Sequence, residues 1–284
     1  MPTAIAHDGT AITFETAGSG PTVLLAVDPR PVEGPRAEEL RRWGTDPALG
    51  RALMEGLADA YRVVAFGYEA HVLDHPKPDT LTPEAIVRDV LAVADAAGAE
   101  RFAYYGYSWL AVVGLQVAVR SERLWGLALG GYPPLDGPYE EMLVLTEAAH
   151  RLALDAPAEP AAAPEPGDWS SATMTMSPSQ TGQFVTLYRA LQGFDDRAAQ
   201  EHLRCPRLCL VGARDAIDYP EPWGGVHLGI GGRVAARRAE LVELGWDVTV
   251  LDDLDHLGAM QPAAVLPVLR PWLDAAARAA APVS

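Results

Sequence analysis

Lysine is nearly absent from this chain: Lys77 is the only one among 284 residues, and Lys and Arg together number 22 against 38 Asp and Glu. The resulting net charge of −16 removes the basic footprint that a nucleic-acid backbone or an anionic bilayer surface needs. The partner to expect is a small-molecule substrate, with no nucleic acid and no membrane. Cysteine is scarce too. Cys205 and Cys209 lie four residues apart at the start of an apolar run, too far apart in a strand for a disulfide. No other cysteine completes a zinc site, so both read as small buried apolar groups, and neither a metal nor a cofactor is implied. No apolar run is long enough to span a bilayer, and MPTAIAHDGT lacks a charged-then-apolar leader pattern. A cytoplasmic monomer or homodimer is the expectation.

What is present is an alternation of short β-rich runs and helical patterns, which predicts an α/β fold with a mostly parallel central sheet and helices on both faces. Residues 3–6 and 11–16 read as an opening hairpin turning at Asp8-Gly9. TVLLAV (22–27) and YRVVAF (61–66) are the continuous apolar strands expected of a sheet covered on both sides. Between them lies a Pro- and Gly-rich loop and then a helix over 46–60. Thr82-Pro83 opens a helix that Gly98 closes. RFAYYG (101–106) and LWGLALGG (124–131) are further strands, with a buried helix over 109–120 between them. The alternation then breaks: 132–203 reads as a helical insertion over the sheet, with helices near 136–154 and 178–201 and a Pro/Ala-rich linker over 155–168. The sheet resumes with RLCLVG (207–212), a helix near 231–244, WDVTVL (246–251) and a last helix near 261–279. The core therefore comprises 1–131 and 204–284.

Within this frame YYGYSWLAV (104–112) places Ser108 on the turn between a strand and a helix, the context of a nucleophile elbow. Gly106 suits the crowded turn. The closing glycine of that motif is Leu110, and Ser also commonly caps helices. At the helix N-terminus the Trp109 amide is placed to donate to an oxyanion. A serine hydroxyl needs a base, and the base an orienting acid. Of seven histidines, His256 alone sits just after the last strand, in LDDLDHLGAM. His227, in a Gly-rich loop, is the next to consider. Asp215 ends LVGARD after the preceding strand, with Asp218 in reserve and Asp136 weaker. Ser108, Asp215 and His256 all follow strands, where sites form in open parallel sheets.

With these residues the chain resembles the α/β-hydrolase superfamily over nearly its full length. GYSWL is similar to the elbow, LVGARD to the acid strand and DLDHLGAM to the histidine loop. YRVVAFGYEAH resembles a strand and loop that often carry an aspartate, here Gly67. The resemblance implies the α/β-hydrolase fold with a helical cap, a Ser108–His256–Asp215 triad, and an acyl-enzyme route to cleaving an ester, lactone or thioester. Two departures stand out. The loop that often reads His-Gly is here VDPRP, so the second oxyanion donor falls to the amide of Val27 or Asp28, with the Asp28 carboxylate turned away. Leu110 in place of Gly implies looser packing of helix on strand. Trp109 resembles the residue after the nucleophile in dehalogenases and epoxide hydrolases, but those carry Asp where Ser108 stands. A cap implies a substrate pocket lined by its apolar and aromatic residues, Met142, Phe184 and Tyr188, with Tyr132 and Trp223 joining from strand-end loops; Met174, Met176 and Phe194 are further cap candidates. Two alternatives stay open: a lyase or acyltransferase of specialised metabolism using the same triad, and a non-catalytic binding protein on the same fold.

Overall fold

A computed structural model describes residues 1–155 and 174–280. The segment expected as a linker over 155–168 lies, beyond Asp155, outside the described residues. Strands β1 (Thr3–Ile5) and β2 (Ala11–Thr13) form the expected antiparallel hairpin, with Gly9 at φ 85° in the turn. This hairpin is a separate two-stranded sheet. The chain enters the central sheet only at β3 (Glu15–Ala17).

That sheet also contains β4 (Thr22–Leu25), β5 (Arg62–Ala65), β6 (Phe102–Tyr107), β7 (Leu124–Gly130), β8 (Arg207–Gly212) and, after the short antiparallel pair β9 (Ile217–Asp218) and β10 (His227–Leu228), β11 (Trp246–Leu251). The seven strands run in the order β11-β8-β7-β6-β4-β5-β3, all parallel except β3. Side chains alternate across each strand, so β4 sends Val23 and Leu25 to one face and Leu24 to the other. Both faces are covered, which is why the strands read as unbroken apolar runs.

The helices are α1 (Gly34–Arg42), α2 (Leu49–Leu57), α3 (Tyr68–Asp74), α4 (Pro83–Ala96), α5 (Trp109–Arg120), α6 (Tyr139–Asp155), α7 (Pro178–Ala190), α8 (Asp196–Ala199), α9 (Ile230–Glu243), α10 (His256–Ala259) and α11 (Pro262–Ala280). One face of the sheet packs on Val90 and Val93 of α4, Val113 and Val117 of α5, and Val234 and Leu241 of α9. The other packs on Leu53 and Leu57 of α2 and Val265 and Leu269 of α11. Burying each such side chain is worth about 1.5–3 kcal/mol. Cys205 and Cys209 are buried and unpaired. The sole lysine is structural: Lys77 is buried, its ammonium bonded to Asp8 and, at 3.1 Å, to Thr10, which ties the hairpin to the loop between α3 and α4.

Between β7 and β8 the chain leaves the sheet to form α6, α7 and α8. Ser177 and Gln180 form a capping box at the start of α7, with Pro178 in its first turn. Gln180 and Gln183 then anchor α7 to α3, donating to Leu73 O at 2.8 Å and Val72 O at 3.0 Å. The helix expected over 178–201 is interrupted. α7 stops at Ala190, Gly193 takes φ 75°, and Asp195 accepts from Ala198 N at 2.9 Å to start α8. α1 and α3 occupy stretches that read as loops.

Candidate active site

Ser108 has φ 57° and ψ −129°, a backbone conformation that side-chain-bearing residues rarely adopt. It is held there from both sides. Ser108 N donates to Gly130 O at 2.8 Å, and Ala111 N donates back to Ser108 O at 2.9 Å. Gly106 is obligatory, because a Cβ there would lie 2.3 Å from Leu110 O. The looser helix packing expected from Leu110 is not found. α5 comes close at Leu110, whose carbonyl accepts from Tyr104 OH at 2.9 Å. It comes close again at Gly114, where a Cβ would meet the Tyr104 ring at 2.5 Å. The small residue has moved one turn along the helix. The N–H groups of Trp109 and Leu110, the first two of α5, have no intrahelical acceptor.

Asp215, 1 % exposed, and His256 meet at the ends of β8 and β11. His256 Nδ1 lies 2.9 and 3.0 Å from the two Asp215 carboxylate oxygens. A carboxylate only accepts, so Nδ1 carries the hydrogen and Nε2 is left as the basic nitrogen. The loop bearing His256 is set by close backbone approach. A Cβ on Gly212 would lie 2.2 Å from Leu254 O, and Asp255 caps α10 by accepting from Gly258 N at 2.7 Å. The reserve acids are engaged elsewhere: Asp218 pairs with His227 at 2.7 Å, and Asp136 with Arg237 at 2.5 Å.

Because β7 lies between β6 and β8, His256 has to cross the end of β7 to approach Ser108. Gly131, at φ 60°, leaves the passage: a Cβ would meet the Tyr107 ring at 2.5 Å and His256 Cε1 at 3.0 Å. Tyr107 steadies the histidine, donating from its hydroxyl to His256 O at 2.8 Å with the rings 5.1 Å apart. Ser108 and His256 line one cavity of about 610 Å³. Among the described residues the hydrogen bonds of the His256 ring go to Asp215 alone. Ser108 and His256 are not hydrogen-bonded to each other.

No protein-family model matches the sequence, and no curated protein matches it. Solved structures do match over nearly the whole chain. An esterase from Thermogutta terrifontis superposes with a TM-score of 0.59 at 20% identity, covering 97% of both chains. The enol-lactonase from Burkholderia xenovorans gives 0.58 at 17%, covering 96% of this chain and 100% of the other. A carboxylesterase structure from Nitrososphaera gargenis gives 0.60 at 15%, covering 98% and 100%. The chain has the α/β-hydrolase fold.

Val27 N–H already donates to Leu25 O at 2.8 Å, so of the two amides proposed for the second oxyanion donor only Asp28 N–H is without a hydrogen bond among the described residues. The Asp28 carboxylate turns away into a clamp on Arg30, accepting from Nε at 3.0 Å and Nη2 at 2.6 Å. Burial would raise its pKa, but the Arg30 contacts prevail and hold it below the ordinary value. Gly67 makes this fit possible, since a Cβ there would meet the Asp28 side chain at 2.9 Å.

The residues expected to line the substrate pocket do not line the Ser108 cavity. Tyr132 and Tyr188 are buried in the main core, Tyr132 against Tyr139. Met142 and Trp223 pack on a small cluster of Leu145, Val226 and Leu228. Phe184 and Trp223 face a separate cavity of about 170 Å³ with Met176 and Tyr219. Phe194 packs edge-on against Tyr139. The insertion touches the site through Phe184, whose ring meets Trp109 edge-on at 5.3 Å. The Ser108 cavity is walled instead by the segment after β4 (Val27, Val32, Leu40), by Leu49 and Leu53 of α2, and by Leu257 and Met260. Sequence reasoning missed this wall because α1 is polar, with Ala37 its one buried residue. It also missed Glu69 of α3, which lines the cavity and accepts from Trp109 Nε1 at 3.3 Å.

Proposed function

We propose that this protein is a serine hydrolase that cleaves an ester, lactone or thioester bond of a small, partly apolar molecule. The observation that carries the reading is the His256–Asp215 pair, hydrogen-bonded and directed at the cavity that also holds a conformationally strained Ser108. His256 Nε2 takes the proton as Ser108 Oγ attacks the carbonyl carbon. The tetrahedral oxyanion receives hydrogen bonds from Trp109 N–H and Asp28 N–H, donors whose loss typically costs roughly 3–4 kcal/mol each. His256 then protonates the leaving group, and water, activated by the same imidazole, releases the acid from the acyl-enzyme. Buried Asp215 keeps the tautomer and stabilises the imidazolium. The cavity is of a size to enclose a small molecule, and its walls are mostly apolar. The esterase and lactonase neighbours agree with this chemistry in kind.

The test is a panel of short-chain esters, lactones and thioesters offered to the wild type, Ser108→Ala and His256→Ala. The reading expects turnover by the wild type that both substitutions reduce by about 10³ or more. Turnover that survives Ser108→Ala would assign the chemistry elsewhere.

A further inference from the structure

We infer that Arg30 is a positioning residue for the oxyanion site: it fixes and neutralises the Asp28 carboxylate, so that the Asp28 amide can receive the negative charge that develops as Ser108 attacks. This rests on the reading of Ser108 as the nucleophile and Asp28 N–H as one of its oxyanion donors. An amide donor on an aspartate carries an electrostatic penalty of its own. The carboxylate belongs to the same residue, so in every staggered rotamer it stays within about 7 Å of an oxyanion bonded to that N–H. Two negative charges at that separation repel, the more so in a cavity where little solvent lies between them.

The structure holds Asp28 at both of its other polar groups. Its carbonyl is pressed against α2, where a Cβ on Gly50 would lie 1.9 Å from Asp28 O. Its side chain lies over Gly67, where a Cβ would come within 3.0 Å of Asp28 Cγ. Among the described residues the carboxylate accepts hydrogen bonds from Arg30 alone: from the backbone N at 2.9 Å, from Nε at 3.0 and 3.2 Å, and from Nη2 at 2.6 Å. This is the forked, charge-assisted pairing that sets a carboxylate's orientation as well as its charge balance. Pro29 between the two residues restricts the loop further. Burial acts to raise the Asp28 pKa, but the Arg30 contacts outweigh it and the carboxylate stays ionised. Arg30 is also the one permanent cation among the described residues that line the Ser108 cavity, where Asp28, Asp46 and Glu69 are the acids. Asp46 and Glu69 are exposed, and solvent screens them. Asp28 is half-buried and tethered to the donor itself, so its charge is the one that needs a partner.

The test uses turnover of p-nitrophenyl acetate and inhibition by phenylboronic acid. The boron takes up a lone pair of the Ser108 oxygen while the hydroxyl proton passes to His256, giving a tetrahedral anion that stands in for the oxyanion intermediate. Arg30→Gln leaves the Asp28 charge unbalanced. It should lower kcat about tenfold or more with KM little changed, and weaken the boronate by a similar factor. The Arg30 side chain is 55 % exposed, so the fold should survive the change, which the melting temperature checks. Adding Asp28→Asn to Arg30→Gln removes the charge and keeps the backbone amide. It should restore most of both losses, a rescue that a merely structural ion pair would not give. Wild-type kcat and boronate affinity in Arg30→Gln, a loss carried in KM alone, or a double variant no better than Arg30→Gln would each overturn the assignment. A wild type that neither turns over the ester nor binds the boronate would instead refute the hydrolase reading beneath it.

Discussion

Ser108→Ala and Ser108→Gly remove the same hydroxyl but differ in what becomes of the backbone. At φ 57° and ψ −129° a Cβ is crowded by its own main chain, a cost typically of about 1–3 kcal/mol. Alanine keeps the Cβ and the strain. Glycine relieves it, but gives the unfolded chain extra freedom worth roughly 0.5–1 kcal/mol. The Ser108 side chain makes no capping hydrogen bond to α5, so alanine should match the wild type closely. Glycine should then be the more stable variant by about 1 kcal/mol, or about 2 °C in melting temperature for a chain of this size. Urea unfolding of the three proteins, with the melting temperature as a second readout, measures the difference. Both variants should be inactive, the usual trade of stability for a strained catalytic residue. A glycine variant equal to or less stable than alanine would show that the elbow stores no strain.

Other expectations follow from the same geometry. Asp215→Asn leaves His256 able to adopt the wrong tautomer, so turnover should fall by roughly 10³–10⁴ with the fold intact by circular dichroism; a loss under about tenfold would remove Asp215 from the triad. Gly131→Ala puts a methyl 3.0 Å from His256 Cε1, and a displacement of about 1 Å should cost on the order of 10² in kcat; unchanged kcat would mean the passage over β7 is not limiting. His71, buried and flanked by Lys77 and His75, has its pKa pushed down to about 4 from 6.5. The unfolded chain then takes up a proton that the native state refuses, so stability should fall as pH drops from 6.5 toward 4, by at most about 3 kcal/mol from this group. Urea midpoints across that range should flatten in His71→Gln, and a parallel dependence in both proteins would refute it.

The parts of the fold that could be read from sequence are those whose signal is local. β4 and β7 are unbroken apolar runs, and α4 announces itself by Thr82-Pro83. Ser108, Asp215 and His256 each follow a strand closely enough for the parallel sheet to gather their loops at one edge. α1 and α3 escaped because one is polar and the other has seven residues, too short for a periodic pattern. The cavity wall escaped for a different reason. It is made where the segment after β4 folds back over the sheet, and no spacing along the chain records that a Cβ at Gly50 would lie 1.9 Å from Asp28 O. The apolar character of Phe184 and Tyr188 that suggests a pocket lining serves equally to build the interior of the insertion. Gly131 and Tyr107 carry meaning only once β7 is seen to separate β6 from β8.

The central claim is that Ser108 is an activated nucleophile. Intact mass measured after exposure to a fluorophosphonate tests it directly. The account predicts a single adduct on the wild type and none on Ser108→Ala. A wild type that stays unmodified, or an adduct that persists without Ser108, would contradict it.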